Sequence, residues 1–362
     1  MRTIAIVNQK GGCGKTTSVV NLAGCLAADG ARVLVVDMDP QAHATLALGI
    51  DPDALEENLF DVLVDPGSPE PLDRICLEVA DRIDLAPSGI VLSALEQKLV
   101  AEQAADRTER LADALSGVDG RYDYTLIDCP PNVGLLTFNA LRAAREVIVP
   151  LETSFFAIQG VQKLLETIGL LSDRIAHELS VRILPTLFDG RTRYARETLA
   201  EIRELFKEIC FDTVIRQNVK LREAARRGSP IVTFARSANG ALDYSALAVE
   251  IAAEGATEAL DAESESAGEP AEEPRQVVVQ FRASQARDVR IAGDFNGWVP
   301  DKGVRSRTEQ TDGEQVWTKI LELRPGTYQY RYVVDGDWRE DPNNPHQAPG
   351  RVGERNSVLV VR

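Results

Sequence analysis

Long apolar runs are missing: nowhere in the 362 residues do about 18 hydrophobic side chains follow one another, so no membrane-spanning helix is expected. Cysteine is scarce as well. Cys13, Cys25, Cys76, Cys129 and Cys210 are odd in number and form no C-x-x-C pair, which argues against a disulfide framework or a zinc site. They are expected to be reduced and mostly buried. Positive charge is in the minority, with 40 Lys and Arg against 56 Asp and Glu for a net charge of -16. Spread evenly, that balance would speak against nucleic acid, whose phosphates are bound by basic residues displacing counterions. It is not spread evenly: Glu254, Glu258, Asp261, Glu263, Glu265, Glu269, Glu272 and Glu273 fall in one short stretch without a Lys or Arg and supply half of the net charge. Met1 runs almost at once into a strand-like Ile4-Ala5-Ile6-Val7, leaving no room for a signal peptide, so a cytoplasmic protein is expected.

A hydrophobic content of 44% with 27% charged residues is that of a globular protein, and the length suffices for two domains. Residues 254–274 are rich in Glu, Ala, Ser, Gly and Pro and lack aromatics. They read as an acidic, self-repelling, disordered linker. Before it, β-branched runs at 3–7, 32–37, 124–128, 146–150 and 181–187 alternate with segments of helical length, the pattern of an α/β domain (1–253) with a mostly parallel sheet covered by helices. After it, short alternating runs at 277–281, 289–292, 316–323 and 327–334, bounded by Gly, Pro, Asn and Asp, suggest a small all-β, immunoglobulin-like sandwich over 275–362.

The chemistry begins at Lys10-Gly11-Gly12-Cys13-Gly14-Lys15-Thr16-Thr17, which follows the first strand and opens an amphipathic helix carrying Val19, Val20, Leu22, Ala23 and Leu26. Strand, glycine-rich turn and helix in that order make a P-loop. The glycines let backbone N–H groups close around phosphate, and the helix offers its positive end. Lys15 would reach the β- and γ-phosphates and the Thr16 hydroxyl would ligate Mg²⁺. Two acidic segments complete the reading. The run 33–36 leads into Asp37-Met38-Asp39-Pro40-Gln41, and the strand Tyr124-Thr125-Leu126-Ile127 ends in Asp128-Cys129-Pro130-Pro131, as in a Walker B element whose carboxylate holds Mg²⁺. Asp37 is equally readable as a helix cap.

Gln9 stands where the general P-loop has glycine, and Lys10 follows it. This loop resembles the deviant Walker A motif of the ParA/MinD superfamily, and the match continues in ParA/Soj style through Asn21-Leu22-Ala23, the D-x-D-P-Q segment at 37–41, Leu85-Ala86-Pro87-Ser88, the D-x-P-P at 128–131, Pro185-Thr186 with Asp189-Gly190-Arg191-Thr192, and Asn218-Val219-Lys220-Leu221-Arg222-Glu223-Ala224. The resemblance implies a P-loop NTPase fold and an ATPase that uses ATP and Mg²⁺. It implies that Lys10 crosses to the partner's nucleotide in an ATP-bound homodimer and that Asp39 positions or activates the attacking water. Gly11, Gly12, Cys13, Gly14, Lys15, Thr16, Thr17, Pro185 and Asn218 would line the nucleotide, with Thr16 and Asp128 on the metal. It also implies nonspecific DNA binding through Arg191, Lys220 and Arg222, a ParB-like activator, and a role in positioning or segregating a chromosome, plasmid or other cargo, with nucleoid association following from the DNA. Around those residues lie Arg193, Arg196, Arg216, Arg226 and Arg227 with few acids between, the clustering expected of backbone binding, although a charge run is also compatible with a solvated face. Arg216 and Ala225 stand where the family usually has proline. MinD-type relatives carry a basic amphipathic membrane helix, whereas residues 247–262 turn acidic, so no membrane attachment is expected. No N-terminal helix-turn-helix precedes the first strand, so self-repression at an operator is not expected.

Residues 289–298, ending Gly293-Asp294-Phe295-Asn296-Gly297-Trp298, and residues 326–338, including Tyr330-Arg331-Tyr332-Val333-Val334-Asp335-Gly336, resemble the glycogen-binding module of AMP-activated kinase β subunits. That family stacks two tryptophans on glucose rings, matched here by Trp298 and Trp338, with Arg331 and Asn356 at the positions that bond sugar hydroxyls. An aromatic plate flanked by donors suits a sugar because its C–H face is apolar and its rim polar. Trp317 is expected in the core. Two readings stay open: a DNA-bound positioning ATPase carrying an α-glucan or docking module, and an ATPase switch without DNA that acts on a glycan or protein assembly through the sandwich.

Overall fold

The computed structural model describes residues 1–64, 72–101, 106–175, 177–267, 275–283, 286–296, 298, 300–301, 304–311, 314–323, 325–349 and 355–361. It divides into two units, Met1–Glu258 and Ala259–Arg362. In the first, β1 (Arg2–Ile6), β2 (Val33–Asp37), β3 (Leu77–Ala80), β4 (Ile83–Ala86), β5 (Tyr124–Asp128), β6 (Glu146–Glu152) and β7 (Ser180–Thr186) form one sheet in the order β3-β4-β2-β5-β1-β6-β7. Every neighbouring pair is parallel except β3 with β4. Strands buried on both faces must be apolar at every position, which is why these runs do not alternate. Ile4 and Ile6 enter one hydrophobic cluster with Val33, Val35 and Leu126, while Ala5 and Val7 enter the other with Leu34, Val36 and Ile127. The edge strand β3 escaped the sequence reading because it is only half-buried and the turn into β4 passes through Arg82 in a left-handed conformation (φ 61°).

The helix Lys15–Ala28 follows the phosphate loop and is almost entirely buried. At Gly24 it comes so close to the loop before residue 231 that an added Cβ would lie 2.3 Å from the Pro230 Cβ. Alanine is the better helix former by about 1 kcal/mol, but overpacking a rigid proline costs about 1–3 kcal/mol, so the clash should win. Gly24→Ala is expected to lower the denaturation midpoint; an unchanged or raised midpoint would show that the contact yields freely.

The structure corrects the linker. Residues 254–267 are helical, continuing the helix Asn239–Ala267, and the remaining linker residues 268–274 lie outside the described residues. Lack of apolar content argued for disorder, but the stretch is built largely of Ala and Glu, which propagate a helix once a packed segment has nucleated it.

In the second unit, β8 (Arg275–Arg282), β9 (Val289–Gly293), β10 (Arg305–Thr311), β11 (Glu314–Leu323), β12 (Gly326–Val334), β13 (Asp337–Arg339), β14 (Gln347–Pro349) and β15 (Arg355–Val361) make two antiparallel sheets. One has the order β10-β11-β8; the other runs β13-β12-β15-β14, with β9 also on β12. Their common core holds Val279, Phe281, Ile291, Leu321, Tyr330, Tyr332 and Val334. Trp317 packs against this core but is only partly buried.

Candidate active site

Strand order decides which loops meet. With β1 beside β5 and β5 beside β2, the residues leaving the carboxyl ends of all three strands converge, and the register sets Asp37 directly opposite Asp128. The turn after β1 needs glycine where its backbone is left-handed, at Gly12 (φ 76°) and Gly14 (φ 99°). Around Gly11 and Gly12 a Cβ would meet nothing within 4 Å, so the cradle they form is open. The loop is tied down by the Thr186 hydroxyl, which donates to the Cys13 carbonyl (2.7 Å), and by Asn8, which accepts from the Lys10 N–H (3.0 Å) and donates to the Pro150 carbonyl (2.6 Å). Lys15 is buried, with Nζ 3.5 Å from the Lys10 carbonyl.

Thr16 Oγ1 donates to Asp128 Oδ2 (2.6 Å), while Asp128 Oδ1 is buried without a partner. Burial, reinforced by the nearby Asp37 charge, pushes the Asp128 carboxyl well above its usual range, and Lys15 and the Thr16 hydrogen bond oppose that rise. A buried, half-satisfied carboxylate beside a hydroxyl and an open glycine cradle is a fit for a cation carried in with phosphate. Among the described residues no cluster of three or more His, Cys, Asp or Glu side chains could hold a metal. Asp37, also fully buried and raised to about 6 by desolvation, accepts from the Asp39 N–H, the Thr45 N–H and the Thr45 hydroxyl, so it braces the loop after β2. Asp39 is buried and accepts from the Gln41 N–H (2.9 Å).

Lys10 is exposed on the same rim, and its ammonium contacts Glu152 and the Ser154 hydroxyl of its own chain. Pro185 is buried and its carbonyl accepts from the Ile215 N–H; Asn218 caps the helix Val219–Arg226 through the Lys220 N–H. A bridge between Phe188 and Arg216 joins the loop bearing Arg191 to the segment leading to Lys220 and Arg222, all three exposed. The expectation of few intervening acids is corrected: Arg191 pairs with Asp189, Arg193 with Glu197, Arg216 with Asp243 and Lys220 with Glu223. The hydrogen bonds from Arg191 hold the Asp189 carboxyl down at about 2. All five cysteines are free, with Cys13, Cys25 and Cys129 buried.

In the second unit the Trp298 and Trp338 ring centroids lie 6.3 Å apart, the planes tilted by 41°. Trp338 is 42% exposed, and Arg331 donates to its carbonyl (2.8 Å). Asp294, missed by the sequence reading, accepts from the Trp298 indole N–H (3.1 Å) and from the Gln329 N–H (2.7 Å). Asn356 is buried and donates to Gln329 Oε1 (3.0 Å), so Gln329 links it to the tryptophan pair. Thr186 and Asp294 fall inside motif segments, yet their roles, like those of Thr45 and Glu152, rest on partners more than thirty residues away in sequence.

Two family models match the chain, an AAA domain over residues 1–181 and the glycogen recognition site of AMP-activated protein kinase over residues 275–362. The sporulation initiation inhibitor protein Soj of Bacillus subtilis is 41% identical over 255 residues, covering 70% of this chain and 99% of that protein. The chromosome partitioning protein ParA of Myxococcus xanthus is 38% identical over 252 residues, 69% of this chain and 87% of that protein. Among solved structures, cobyrinic acid a,c-diamide synthase from Mycobacterium smegmatis with bound ADP and magnesium superposes with a TM-score of 0.59 at 35% identity, covering 68% of this chain and 92% of that one.

Proposed function

The chain belongs to the ParA/Soj family of P-loop ATPases, with ATP and Mg²⁺ at its site, and from that premise we propose a switch that dimerises on ATP, binds DNA without sequence preference and positions a cargo. The observation that carries the proposal is the convergence of the open glycine cradle, Lys15, the Thr16–Asp128 pair and Asp39 at one end of the sheet. Backbone N–H groups of the loop hold the phosphates and Lys15 neutralises them. Thr16 and Asp128 hold the metal, which when bound offsets charge building on the phosphate oxygens. Asp39 orients the water for in-line attack. Pro185 and the Asn218 segment flank the base. Lys10, resting on Glu152 in the single chain, leaves it to meet the nucleotide of a second copy, and a ParB-like activator would quicken that cycle. A cytoplasmic, nucleoid-associated location fits this reading. Among the described residues no helix is long and apolar enough to cross a membrane.

DNA binding rests on the exposed Arg191, Lys220 and Arg222 beside the nucleotide end of the sheet. Arg191 and Lys220 form exposed ion pairs of small energy, which phosphate can displace. A titration of nonspecific DNA with ATP is expected to show binding that weakens steeply with salt, each phosphate contact adding about 0.9 to the log–log slope. Arg191→Glu and Lys220→Glu should lose the shift, and Lys10→Ala should bind ATP yet remain a monomer by light scattering. No ATP-dependent binding at low salt would sink the DNA reading. The second reading, a switch without DNA that works through the sandwich, is favoured by those same ion pairs, which already satisfy the basic residues.

For the sandwich we propose weak binding of α-1,4-glucan. Two tilted rings in contact, one of them substantially exposed, offer faces for adjacent sugars, with Arg331 at their edge. On a glycogen affinity gel, Trp298→Ala and Trp338→Ala in the full chain should each remove most of the retardation, on the order of 10-fold or more in affinity, without lowering the melting temperature. A folded wild type that ignores glycogen, starch and β-cyclodextrin would leave a protein-docking module as the better account.

A further inference from the structure

Asp39 does not hold its own position. Its carbonyl accepts two hydrogen bonds, one from the Ala42 N–H (2.8 Å), which closes the turn, and one from the Ser88 hydroxyl (2.8 Å), which reaches in from the loop after β4. The Ser88 N–H in turn donates to Thr45 Oγ1 (3.0 Å), and that hydroxyl donates to Asp37 Oδ2 (2.8 Å). Asp37 closes the circuit by accepting from the Asp39 N–H (3.1 Å). Both hydroxyl residues are fully buried, at 0% exposure, so no water substitutes for a lost partner. The circuit spans three separate segments and both of its ends fall on the backbone of one residue, Asp39.

We propose that Thr45 and Ser88 are positioning residues for hydrolysis: through Asp37 on one side and the Asp39 carbonyl on the other, they hold the backbone from which the Asp39 carboxylate acts. The proposal rests on the reading of Asp39 as the water-orienting residue. The physical basis is that a carboxylate on a short loop is only as well placed as its backbone. Two bonds to the peptide groups flanking Asp39 remove the rotations that the Ala42 turn alone leaves free. Thr45→Val removes the hydroxyl while keeping nearly the same volume, so it separates the hydrogen bonds from the packing of this fully buried side chain.

The test uses the full chain with Mg·ATP and compares Thr45→Val, Thr45→Ser, Ser88→Ala and Asp39→Ala for single-turnover hydrolysis at saturating ATP, ATP affinity and melting temperature. Thr45→Val and Ser88→Ala are expected to lower the hydrolysis rate by about 10- to 100-fold while ATP affinity stays within about threefold, and Thr45→Ser to restore most of the rate. A merely structural role would lower the melting temperature and leave the rate of the folded protein unchanged. Rates within about twofold of wild type for Thr45→Val and Ser88→Ala, beside an inactive Asp39→Ala, would overturn the positioning role and leave the Asp39 reading standing. Normal hydrolysis by Asp39→Ala would instead remove the Asp39 reading, and this proposal with it. If Thr45→Val does not fold, Ser88→Ala decides alone, because the Asp39 carbonyl there keeps its bond from Ala42.

Discussion

Asp39→Ala is expected to bind Mg·ATP as tightly as the wild type and to hydrolyse it on the order of 100- to 10,000-fold more slowly. The binding half follows from where Asp39 stands. It follows the end of β2, while the glycine-rich loop leaves β1, and the hydrogen-bonded pair of Thr16 and Asp128 does not include it. The rate half follows from its chemistry as a buried acceptor at the converging strand ends, where a carboxylate outside the Thr16–Asp128 pair could orient an attacking water. The structural cost is small. The side chain makes one turn-type hydrogen bond, to the Gln41 N–H, worth about 1 kcal/mol, and the backbone at 39 keeps its bonds to Ala42 and Ser88. Single-turnover hydrolysis beside a nucleotide-binding titration separates the two halves. Wild-type turnover in the variant ends the water-orienting assignment, whereas lost binding would mean that Asp39 belongs to the metal.

Lys15→Ala should fail one step earlier, at binding. Lys15 is a buried cation among buried carboxylates, and its charge opposes the rise that burial and Asp37 impose on Asp128. A hydrogen bond to a charged group contributes about 1.5–3 kcal/mol, and a lysine that reaches two phosphates loses two of them. The expected weakening is therefore about 3 kcal/mol or more, roughly 100-fold in Kd at the least. The glycine cradle and Thr16 remain, but without Lys15 the phosphates would meet Asp128 with no intervening positive charge except the metal. Calorimetric titration with a nonhydrolysable ATP analogue in Mg²⁺ checks this directly. Binding within about threefold of wild type would mean that backbone N–H groups alone carry the affinity and that Lys15 acts only in the transition state.

Much of the site was legible because its parts are local. Lys10 to Thr17 run consecutively from the turn after β1 into the helix that starts at Lys15, and the backbone geometry that turn requires is written in Gly12 and Gly14, both left-handed. Asp128 closes the apolar strand β5, whereas Asp39 stands two residues past the end of β2 and is marked by its D-x-D-P-Q segment. The linker misled for a related reason. Charge and low apolar content predict that a segment cannot fold alone, but residues 254–267 are not alone; they prolong a helix whose earlier turns are packed through Tyr244, Leu247, Ala248 and Ile251. The basic cluster misled in the opposite way, since Glu197 and Glu223 are near in sequence yet pair only because three- and four-residue helical spacing aligns them with Arg193 and Lys220.

By itself the sequence determined the two fold classes and the strand, glycine-rich turn and helix that carry Lys15 and Thr16. Each of these depends on residue type at short spacing, where backbone geometry follows directly from the residues. Only the tertiary structure decided that Asp37 braces a loop, that Lys10 rests on Glu152, that Asp294 holds Trp298, and that Thr45 and Ser88 converge on the Asp39 backbone. The Lys10–Glu152 and Ser88–Asp39 contacts depend on strand order, whereas Asp294 and Trp298 stand four residues apart. Placing β1 beside β5, and β2 between β5 and β4, brings together loops that lie tens of residues apart, and a buried hydroxyl gains its meaning only from the partner that the sheet sets opposite it.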